Sequence, residues 1–336
     1  MRGRALQLSA AGVEHLREVE RPVAKPQASG VLVRMRASTL NARDLGVIGG
    51  KLPGLCFPLV PLSDGVGEVV EVGGEVTRFK AGDRVCTMFY PRWTAGAASA
   101  ETLNRALGGS VDGTACEYFL ADETALALAP AHLSDVEAAS LCCAGLTAWS
   151  ALTEAGVRAG DTVLVQGTGG VSLFALQFAK LLGARVIATS SSDSKLETAA
   201  QLGAGHLINY RTQPDWAQAA LDLTDGRGVR AIVDVGGAAT LASSVRALGF
   251  GGTVCVVGVL GGISAEVSIR ELMLKLASIR GLTVGSRQGF EAMCAAVSQH
   301  RLQPLVAQVY PRDELGVALS RFAAREHVGK LGIELY

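Results

Sequence analysis

The 336-residue sequence contains no C-x-x-C pair among its seven cysteines and no histidine pair at metal-binding spacing among its five histidines. Disulfide-rich secreted domains rely on paired cysteines, so this pattern predicts reduced thiols and a cytoplasmic protein. An excess of charge is also missing, because 31 Lys and Arg residues balance 31 Asp and Glu residues. This balance argues against nucleic acid and anionic membranes as partners.

The sequence also lacks a segment typical of membrane insertion. Its first twelve residues, MRGRALQLSAAG, have no apolar core of the kind found in signal peptides, which again favours the cytoplasm. The longest apolar stretch, residues 138–157, is interrupted by Thr147, Ser150, Thr153 and Glu154. It is therefore predicted to be a buried helix and not a membrane span.

Between residues 160 and 195 the sequence does contain a strand, a glycine loop, a helix and a second strand. Residues 162–165 (TVLV) and 186–189 (VIAT) are short apolar runs typical of buried parallel strands. The glycine loop 167–170 lies between them. Behind it, apolar residues recur at helical spacing, namely Val171, Phe174, Phe178 and Leu181. This order predicts one βαβ unit of a dinucleotide-binding fold.

The glycine loop has the properties that a bound pyrophosphate requires. Gly167 permits a tight turn, and Gly169, which has no Cβ, lets the backbone approach the anion. The following helix presents unpaired N–H groups and the positive end of its dipole. The predicted cofactor-binding residues here are Gly167, Thr168, Gly169, Gly170 and Val171. The alternative is an ordinary strand-to-helix turn without a ligand.

The rest of the chain predicts two domains. Residues 1–127 are rich in short strands broken by Gly and Pro, which indicates a small antiparallel barrel. After residue 189 strands and helices alternate, with strands predicted at 206–208, 231–235, 253–257 and 282–284. With the βαβ unit they make about six parallel strands, a doubly wound α/β sheet. The predicted division is 1–127 with 286–336 for the barrel domain and 128–285 for the nucleotide-binding domain.

Several short motifs occur in an order known from one family. They are 63–70 (SDGVGEVV), 81–85 (AGDRV), 143–149 (CAGLTAW), the glycine loop, 208–211 (INYR) and the pair Gly329 and Lys330. With the domain order, they resemble the medium-chain dehydrogenase/reductase superfamily over nearly the whole chain. The sequence is most similar to the zinc-free quinone oxidoreductase branch, though proteins of this kind are also named alcohol dehydrogenases. The resemblance implies a GroES-like β-barrel catalytic domain and a Rossmann NADP-binding domain.

The resemblance also bears on zinc. In the zinc alcohol dehydrogenases the catalytic metal is held by Cys, His and Cys, with Glu beside the His. Matched position by position, the cysteines fall on Asn41 and Cys143, the histidine on Ser63 and the glutamate on Asp64. One thiol with an amide and a hydroxyl cannot hold zinc tightly, so no metal site is predicted. Cys143 is then a small buried residue.

The choice of dinucleotide depends on the end of the second strand. About twenty residues beyond the loop, an NAD enzyme carries an acidic residue that binds the ribose 2′-OH. This sequence has Ser190, then Ser191 and, one helical turn later, Lys195, which suit a 2′-phosphate. Tyr210 lies where the quinone oxidoreductases use a tyrosine against that phosphate. NADP is therefore favoured over NAD, although the serines could form only a polar turn beside Asp193.

The resemblance implies a nicotinamide site between the two domains. The other predicted cofactor-binding residues are Val235, Gly236, Gly258, Val259, Leu260, Val284, Gly285, Ser286, Thr147 and Lys330. The predicted catalytic residues on the barrel segments are Asn41, Arg43, Asp44 and Ser63. Asn41 would donate a hydrogen bond to a substrate carbonyl, and Arg43 would stabilise a developing oxyanion. Asp44 and Asp64 could equally be structural, as acceptors of backbone N–H groups in tight turns.

These residues predict a zinc-independent, NADPH-dependent oxidoreductase. It would transfer hydride to small-molecule quinones or to activated enones and carbonyls, with the cofactor carrying the chemistry. Two alternatives stay open, an alcohol dehydrogenase without catalytic zinc and a non-catalytic NADPH-binding redox sensor. A homodimer formed through the last Rossmann strand, near residues 279–284, is usual for the superfamily and is expected here.

Overall fold

A computed structural model describes residues 1–336, which divide into two compact units. The first unit comprises Met1–Leu146 and Gly285–Tyr336, and the second comprises Thr147–Val284. The second boundary lies after Val284, one residue before the predicted one. The first lies at Leu146 and not at residue 127.

The first unit opens with a two-stranded antiparallel hairpin and continues into strands of a larger sheet. Its elements up to the first boundary are β1 (Arg2–Leu8), β2 (Leu16–Pro22), β3 (Gly30–Thr39), α1 (Ala42–Ile48), β4 (Val66–Val72), β5 (Arg84–Thr87), α2 (Ala100–Leu103), β6 (Tyr118–Asp122), β7 (Leu126–Leu128) and α3 (Asp135–Ala139). Helix α3 packs on β3 and β4, so it belongs to this unit, which explains the later boundary.

The second unit is a six-stranded parallel sheet with helices between its strands. Its elements are α4 (Leu146–Glu154), β8 (Thr162–Gln166), α5 (Gly170–Leu181), β9 (Arg185–Ser190), α6 (Asp193–Gln201), β10 (His206–Asn209), α7 (Trp216–Asp222), β11 (Val229–Asp234), α8 (Leu241–Ala247), β12 (Leu248–Val256), α9 (Ile269–Lys275) and β13 (Ser278–Gly281). The strand order is β10-β9-β8-β11-β12-β13, and every neighbouring pair is parallel. The predicted doubly wound sheet is confirmed.

The last fifty residues return to the first unit, as predicted. They form α10 (Arg287–Gln299), β14 (Val306–Pro311), α11 (Leu315–Ala324) and β15 (Lys330–Glu334). The larger sheet has the order β14-β15-β3-β4-β5-β7, and β6 pairs with β3 beside this path. Its core contains the fully buried side chains of Val33, Met35, Leu62 and Ile333. The return of β15 to β3 is what assembles the candidate site described below.

Two predicted elements are corrected by the structure. The strand predicted at 282–284 is wrong, because β13 ends at Gly281 and Val284 has a left-handed backbone with φ 52°. A strand requires extended backbone, which a residue at positive φ does not have. The helix predicted across 138–157 is interrupted by a π-helical turn at Leu141–Gly145. Strands β1, β2, β6, β7 and β14 were not predicted individually.

The run Asp135–Glu154 has a mean hydropathy of 1.2, and by length and composition alone it could cross a membrane. However, 72% of it is buried inside the protein, as in the core helix of a folded domain. Burial of this kind agrees with the sequence-based prediction of a buried helix.

Candidate active site

Antiparallel pairing of β15 with β3 brings together residues almost 300 positions apart. Gly332 pairs with Thr39, and the Leu40 N–H donates to the Leu331 carbonyl at 3.0 Å. This register places Lys330, the first residue of β15, beside Asn41, which precedes α1. The segment before β4 contributes Ser63 and Asp64. We refer to Asn41, Asp44, Ser63, Asp64 and Lys330 as the polar cluster.

Lys330 lies at the centre of the polar cluster, and only 2% of it is exposed. Its ammonium donates to the Leu40 carbonyl at 2.7 Å, to Asn41 Oδ1 at 2.7 Å and to Asp64 Oδ2 at 3.3 Å. An ammonium has three protons, so these acceptors use all of its donors. The sequence predicted Lys330 as a cofactor-binding residue; in the structure its hydrogen bonds go to Leu40, Asn41 and Asp64.

Asp64 is fully buried and is held by side chains from three segments. Besides Lys330, Thr39 Oγ1 donates to its Oδ2 at 2.5 Å and Ser63 Oγ to its Oδ1 at 3.5 Å. Its backbone carbonyl accepts from Ser38 Oγ and Thr114 Oγ1, both at 2.6 Å. The structural alternative for Asp64 therefore describes the arrangement best, with an ion pair in place of the expected backbone N–H groups.

Asp44 also takes a structural role, and it leaves one atom unused. Its Oδ2 accepts the Asn41 backbone N–H at 2.8 Å, at the start of α1. Its Oδ1 is buried without a hydrogen-bond partner, and so is the amide nitrogen Nδ2 of Asn41. Burial raises the pKa of Asp44 from its ordinary value of 3.8 to about 6, while the Arg43 guanidinium opposes the rise. These two unpaired atoms are the free hydrogen-bonding groups of the polar cluster.

Arg43 is held at the edge of the polar cluster. Its guanidinium donates to the Leu107 carbonyl at 2.8 Å and lies over the Phe89 ring, 4.7 Å from the ring centre. One guanidinium nitrogen is 4.0 Å from Asp44 Oδ1. The structure thus brings all four predicted catalytic residues, Asn41, Arg43, Asp44 and Ser63, into one region of the first unit.

The donor set does not fit a zinc ion. Zinc sites use thiolate, imidazole or carboxylate ligands, whereas this site offers the Asn41 amide and the Ser63 hydroxyl. Burial raises the pKa of the Cys143 thiol well above its ordinary value of 9.0, which opposes the thiolate form. The Lys330 ammonium already occupies the space between Asn41 and Asp64 and would repel a second cation. No group of three or more His, Cys, Asp or Glu residues in the chain could hold a metal.

The glycine loop of the second unit fits a dinucleotide phosphate. Gly167 has φ 75°, a left-handed conformation that favours glycine, and a Cβ added at Gly167 or Gly169 would point into open space. The 12-residue helix α5 begins at Gly170, with no side chain capping its first N–H groups. Ser172, in place of the third fingerprint glycine, donates from Oγ to the Gln166 carbonyl at 2.6 Å. The loop therefore leaves the room and the N–H donors that an anion requires.

The strand order explains which loops meet near this helix. It reverses between β8 and β11, and ligands of doubly wound sheets bind at such a switch point. The loops after β11 and β12 are joined by hydrogen bonds, from Leu260 N to Val235 O at 3.1 Å and from Gly261 N to Gly236 O at 2.8 Å. The structure therefore brings together the predicted segments Val235–Gly236 and Gly258–Leu260.

A buried network around Asp234, at the end of β11, was not predicted. Its Oδ1 accepts from the N–H groups of Gly236 and Gly237 at 3.0 and 2.8 Å, and its Oδ2 accepts from Gln166 Nε2 at 3.1 Å. Ser244 and Thr240 hydroxyls complete the set. Asp234 thus links the strand before the glycine loop to the Val235–Gly236 loop. A buried aspartate ending an apolar strand was the sequence signal.

The predicted 2′-phosphate residues lie at the ends of β9 and β10. Ser190 is 3% exposed, Ser191 and Lys195 are half-buried, and Tyr210 is exposed. The neighbouring acid, Asp193, accepts from Asn209 Nδ2 at 2.8 Å. Its carboxylate is therefore tied to the end of β10, which reduces its availability to a ribose hydroxyl.

Three other predicted cofactor-binding residues lie near the second unit boundary. Ser286 is the N-cap of α10, where its Oγ accepts the Gly289 N–H at 3.2 Å. Gly285 is the first residue of the returning segment, and Val284 is buried with φ 52°. Such a conformation is rare for a β-branched residue and is often found at functional sites. Thr147 is buried within α4.

Two family models match the chain. The model described as an alcohol dehydrogenase GroES-like domain matches residues 27–131, and the model described as a zinc-binding dehydrogenase matches residues 170–299. A zinc-type alcohol dehydrogenase-like protein of Schizosaccharomyces pombe is 39% identical over 333 residues, which cover 96% of each chain. Fold and site together define a two-domain oxidoreductase with a Rossmann sheet and a GroES-like domain. The chain belongs to the medium-chain dehydrogenase/reductase superfamily.

Solved structures agree with this assignment. A putative alcohol dehydrogenase from Sinorhizobium meliloti has a TM-score of 0.93 and 40% identity, covering 99% of this chain and 98% of its own. An NAD-dependent alcohol dehydrogenase has a TM-score of 0.90 and 34% identity, covering 99% and 100%. A quinone oxidoreductase from Pseudomonas syringae has a TM-score of 0.83 and 28% identity, covering 99% of each chain. These names include both dehydrogenases and a quinone reductase.

Proposed function

We propose that this chain is a zinc-independent, NADPH-dependent reductase of quinones or of activated enones and carbonyls. The observation that carries the proposal is the polar cluster. Its buried Lys330 ammonium lies between Asn41, at the position of a zinc-ligating cysteine, and Asp64, at the position of the glutamate beside the ligating histidine. A site of this kind offers a carbonyl oxygen the unpaired N–H of Asn41, held in place by the buried ion pair of Lys330 and Asp64. A conjugated acceptor needs little more, because its negative charge spreads over the whole system as it is reduced.

NADPH, when bound, supplies the hydride, and the residues of the chain prepare the acceptor. The Asn41 Nδ2–H group is free to bind the carbonyl oxygen, and the Arg43 guanidinium adds positive charge at the edge of the polar cluster. Because its pKa is raised to about 6, Asp44 carries a proton below about pH 6, and its unpaired Oδ1 can then release that proton to the reduced oxygen.

An alcohol dehydrogenase without catalytic zinc is the second candidate. It is favoured by the names of several similar proteins, which are alcohol dehydrogenases or alcohol dehydrogenase-like. The word zinc in the name of the Schizosaccharomyces pombe relative says nothing of the residues at positions 41 and 63 here. The two candidates share the cofactor and differ in the direction and substrate of the reaction.

Metal content tests the zinc-free part of the proposal. Protein purified from cells grown without added zinc should contain much less than one zinc per chain, because the amide and hydroxyl of Asn41 and Ser63 are poor zinc ligands. Treatment with a chelator should leave activity and thermal stability unchanged. Elemental analysis that finds one zinc per chain would refute this part.

Cofactor preference is tested by adding a carboxylate at the end of β9. Ser190→Asp should weaken NADPH binding far more than NADH binding. Because Ser190 is buried, Ser191→Asp, at a half-buried position, is a second variant with the same expected result. Loss of a charge-assisted hydrogen bond is worth about 1.5–3 kcal/mol, or about one to two decades in Kd, before repulsion is added. Calorimetric titration gives both Kd values. Gln201→Asp, at the far end of α6, is the control, and equal losses for both cofactors would contradict the assignment.

We also propose a homodimer that joins two copies through β13. This strand is the edge of the Rossmann sheet, and all four of its residues are exposed. Large apolar side chains around it are exposed as well, including Leu276 at 78% and Phe250 at 80%. An edge strand with an apolar border is a template for strand pairing.

Ile279→Lys should convert the dimer to a monomer, measured by light scattering. The control Val317→Lys should leave the dimer intact. A monomeric wild type would refute the dimer.

A further inference from the structure

Lys330 is unusual because it is a buried cation that has no donor left for a ligand. Its three protons are used by the Leu40 carbonyl, Asn41 Oδ1 and Asp64 Oδ2. Any effect that Lys330 has on a substrate must therefore pass through a neighbouring group. Asp64 can only accept hydrogen bonds and so offers nothing to a carbonyl oxygen, which leaves Asn41, whose Nδ2 has no partner.

The ammonium determines which way the Asn41 amide faces. Lysine can only donate, so the amide must turn its oxygen, and not its nitrogen, toward Nζ. The nitrogen Nδ2 is then turned away from Nζ, and it is buried with no partner. A buried donor without a partner costs free energy unless a ligand completes it. The orientation of this donor is thus set by Lys330, from across the β3–β15 pair.

We propose that Lys330 is a positioning residue that locks and polarises the Asn41 amide, so that Asn41 Nδ2–H binds the carbonyl oxygen of the acceptor. The inference rests on the proposed carbonyl-reducing function. A positive charge on the oxygen side of an amide draws electron density from its nitrogen, which makes the N–H a stronger donor. The carboxylate of Asp64 balances the charge of Lys330, so the buried pair can remain in place throughout the reaction.

The first variant removes the donor and keeps the shape. Asn41→Asp retains an oxygen for Lys330 but has no N–H to offer, and Asn41→Leu, which removes the same donor without adding a negative charge, should show a similar loss. With a quinone or 2-cyclohexenone as acceptor, kcat should fall by about 10²–10³-fold, the loss typical of one oxyanion donor. The Kd of NADPH should not change. A kcat within about twofold of wild type would overturn the inference.

The second test asks whether Lys330 acts through Asn41. Lys330→Met alone would strand the charge of Asp64, so the variant to use is Lys330→Met with Asp64→Asn, which removes both charges. In the wild-type background this change should lower kcat between about tenfold and a hundredfold, because the amide is no longer held. In an Asn41→Ala background the same change should cost less than about twofold. Equal losses in both backgrounds would show a merely structural role.

A matched control and a binding measurement complete the experiment. Thr114→Val removes another buried hydrogen bond of Asp64, to its backbone carbonyl, and should leave kcat unchanged.

Binding of 2-cyclohexenone to the NADP⁺-loaded protein, measured by calorimetry, needs no turnover and should weaken about tenfold in Asn41→Asp. Failure of the proposed function appears as absent turnover by wild type with every acceptor. Failure of this inference appears as equal binding by wild type and Asn41→Asp, or as no binding by either.

Discussion

The kcat/KM for NADPH-dependent reduction of a quinone or an α,β-unsaturated carbonyl should exceed that for NADP⁺-linked oxidation of a primary alcohol by orders of magnitude. An unactivated alcohol must lose its hydroxyl proton before or during hydride transfer, which a metal makes easy by direct coordination. Here the residues at the metal-ligand positions include the Asn41 amide and the Ser63 hydroxyl, which do not fit zinc. An electron-poor acceptor needs only hydrogen bonds to its oxygen.

The measurement is a side-by-side assay of one preparation against a panel of quinones, enones, aldehydes and alcohols, with both cofactors. Higher kcat/KM for alcohols would overturn the assignment to the quinone reductase branch and would leave the fold untouched. Tight NADPH binding with no turnover of any acceptor would favour the redox-sensor alternative. The assay therefore separates the three functions that the sequence left open.

The sequence predicts the second unit better than the first, for a physical reason. Parallel strands buried on both faces are apolar runs such as 162–165, and the glycine loop has a local signature, so both can be read from neighbouring residues. Strand β2, by contrast, has no fully buried position and contains four charged residues, so its pairing with β1 gives no comparable local signal. Val284 shows where local prediction fails at a single residue. Its left-handed backbone depends on the surrounding structure, so the apolar run 282–284 was predicted as a strand.

The candidate site shows the same division between local and distant contacts. Asp44 lies three residues from the Asn41 N–H that it accepts, and this local contact was among the predicted alternatives. The hydrogen bond from Lys330 to Asn41 spans 289 residues, and it depends on the pairing of β15 with β3. The sequence does not show which residues of two strands so far apart are paired. The prediction of Lys330 as a cofactor-binding residue therefore rests on the resemblance alone.

Asp44 should make the protein less stable as the pH rises from about 4 to 6. Burial raises the pKa of this carboxyl from 3.8 to about 6, so between these values the folded state binds a proton that the unfolded state has released. Stability is therefore highest below pH 3.8 as far as this group is concerned, and the loss is complete above about pH 6. The shift of about 2 pKa units corresponds to about 3 kcal/mol.

The test compares the Asp44→Asn variant, whose amide carries no such titrating proton, with wild type by urea unfolding at pH 4 and pH 8. The amide oxygen can still accept the Asn41 N–H, and any constant cost of the new NH₂ group cancels between the two pH values. The difference in unfolding free energy should move by about 3 kcal/mol in favour of Asp44→Asn as the pH rises. Asp83→Asn is the control that should show almost no change, because hydrogen bonds from Lys80 lower the pKa of Asp83, so its contribution to stability changes mainly below pH 3.8. A difference that stays constant between pH 4 and pH 8 would show that Asp44 ionises in the folded protein as it does in water.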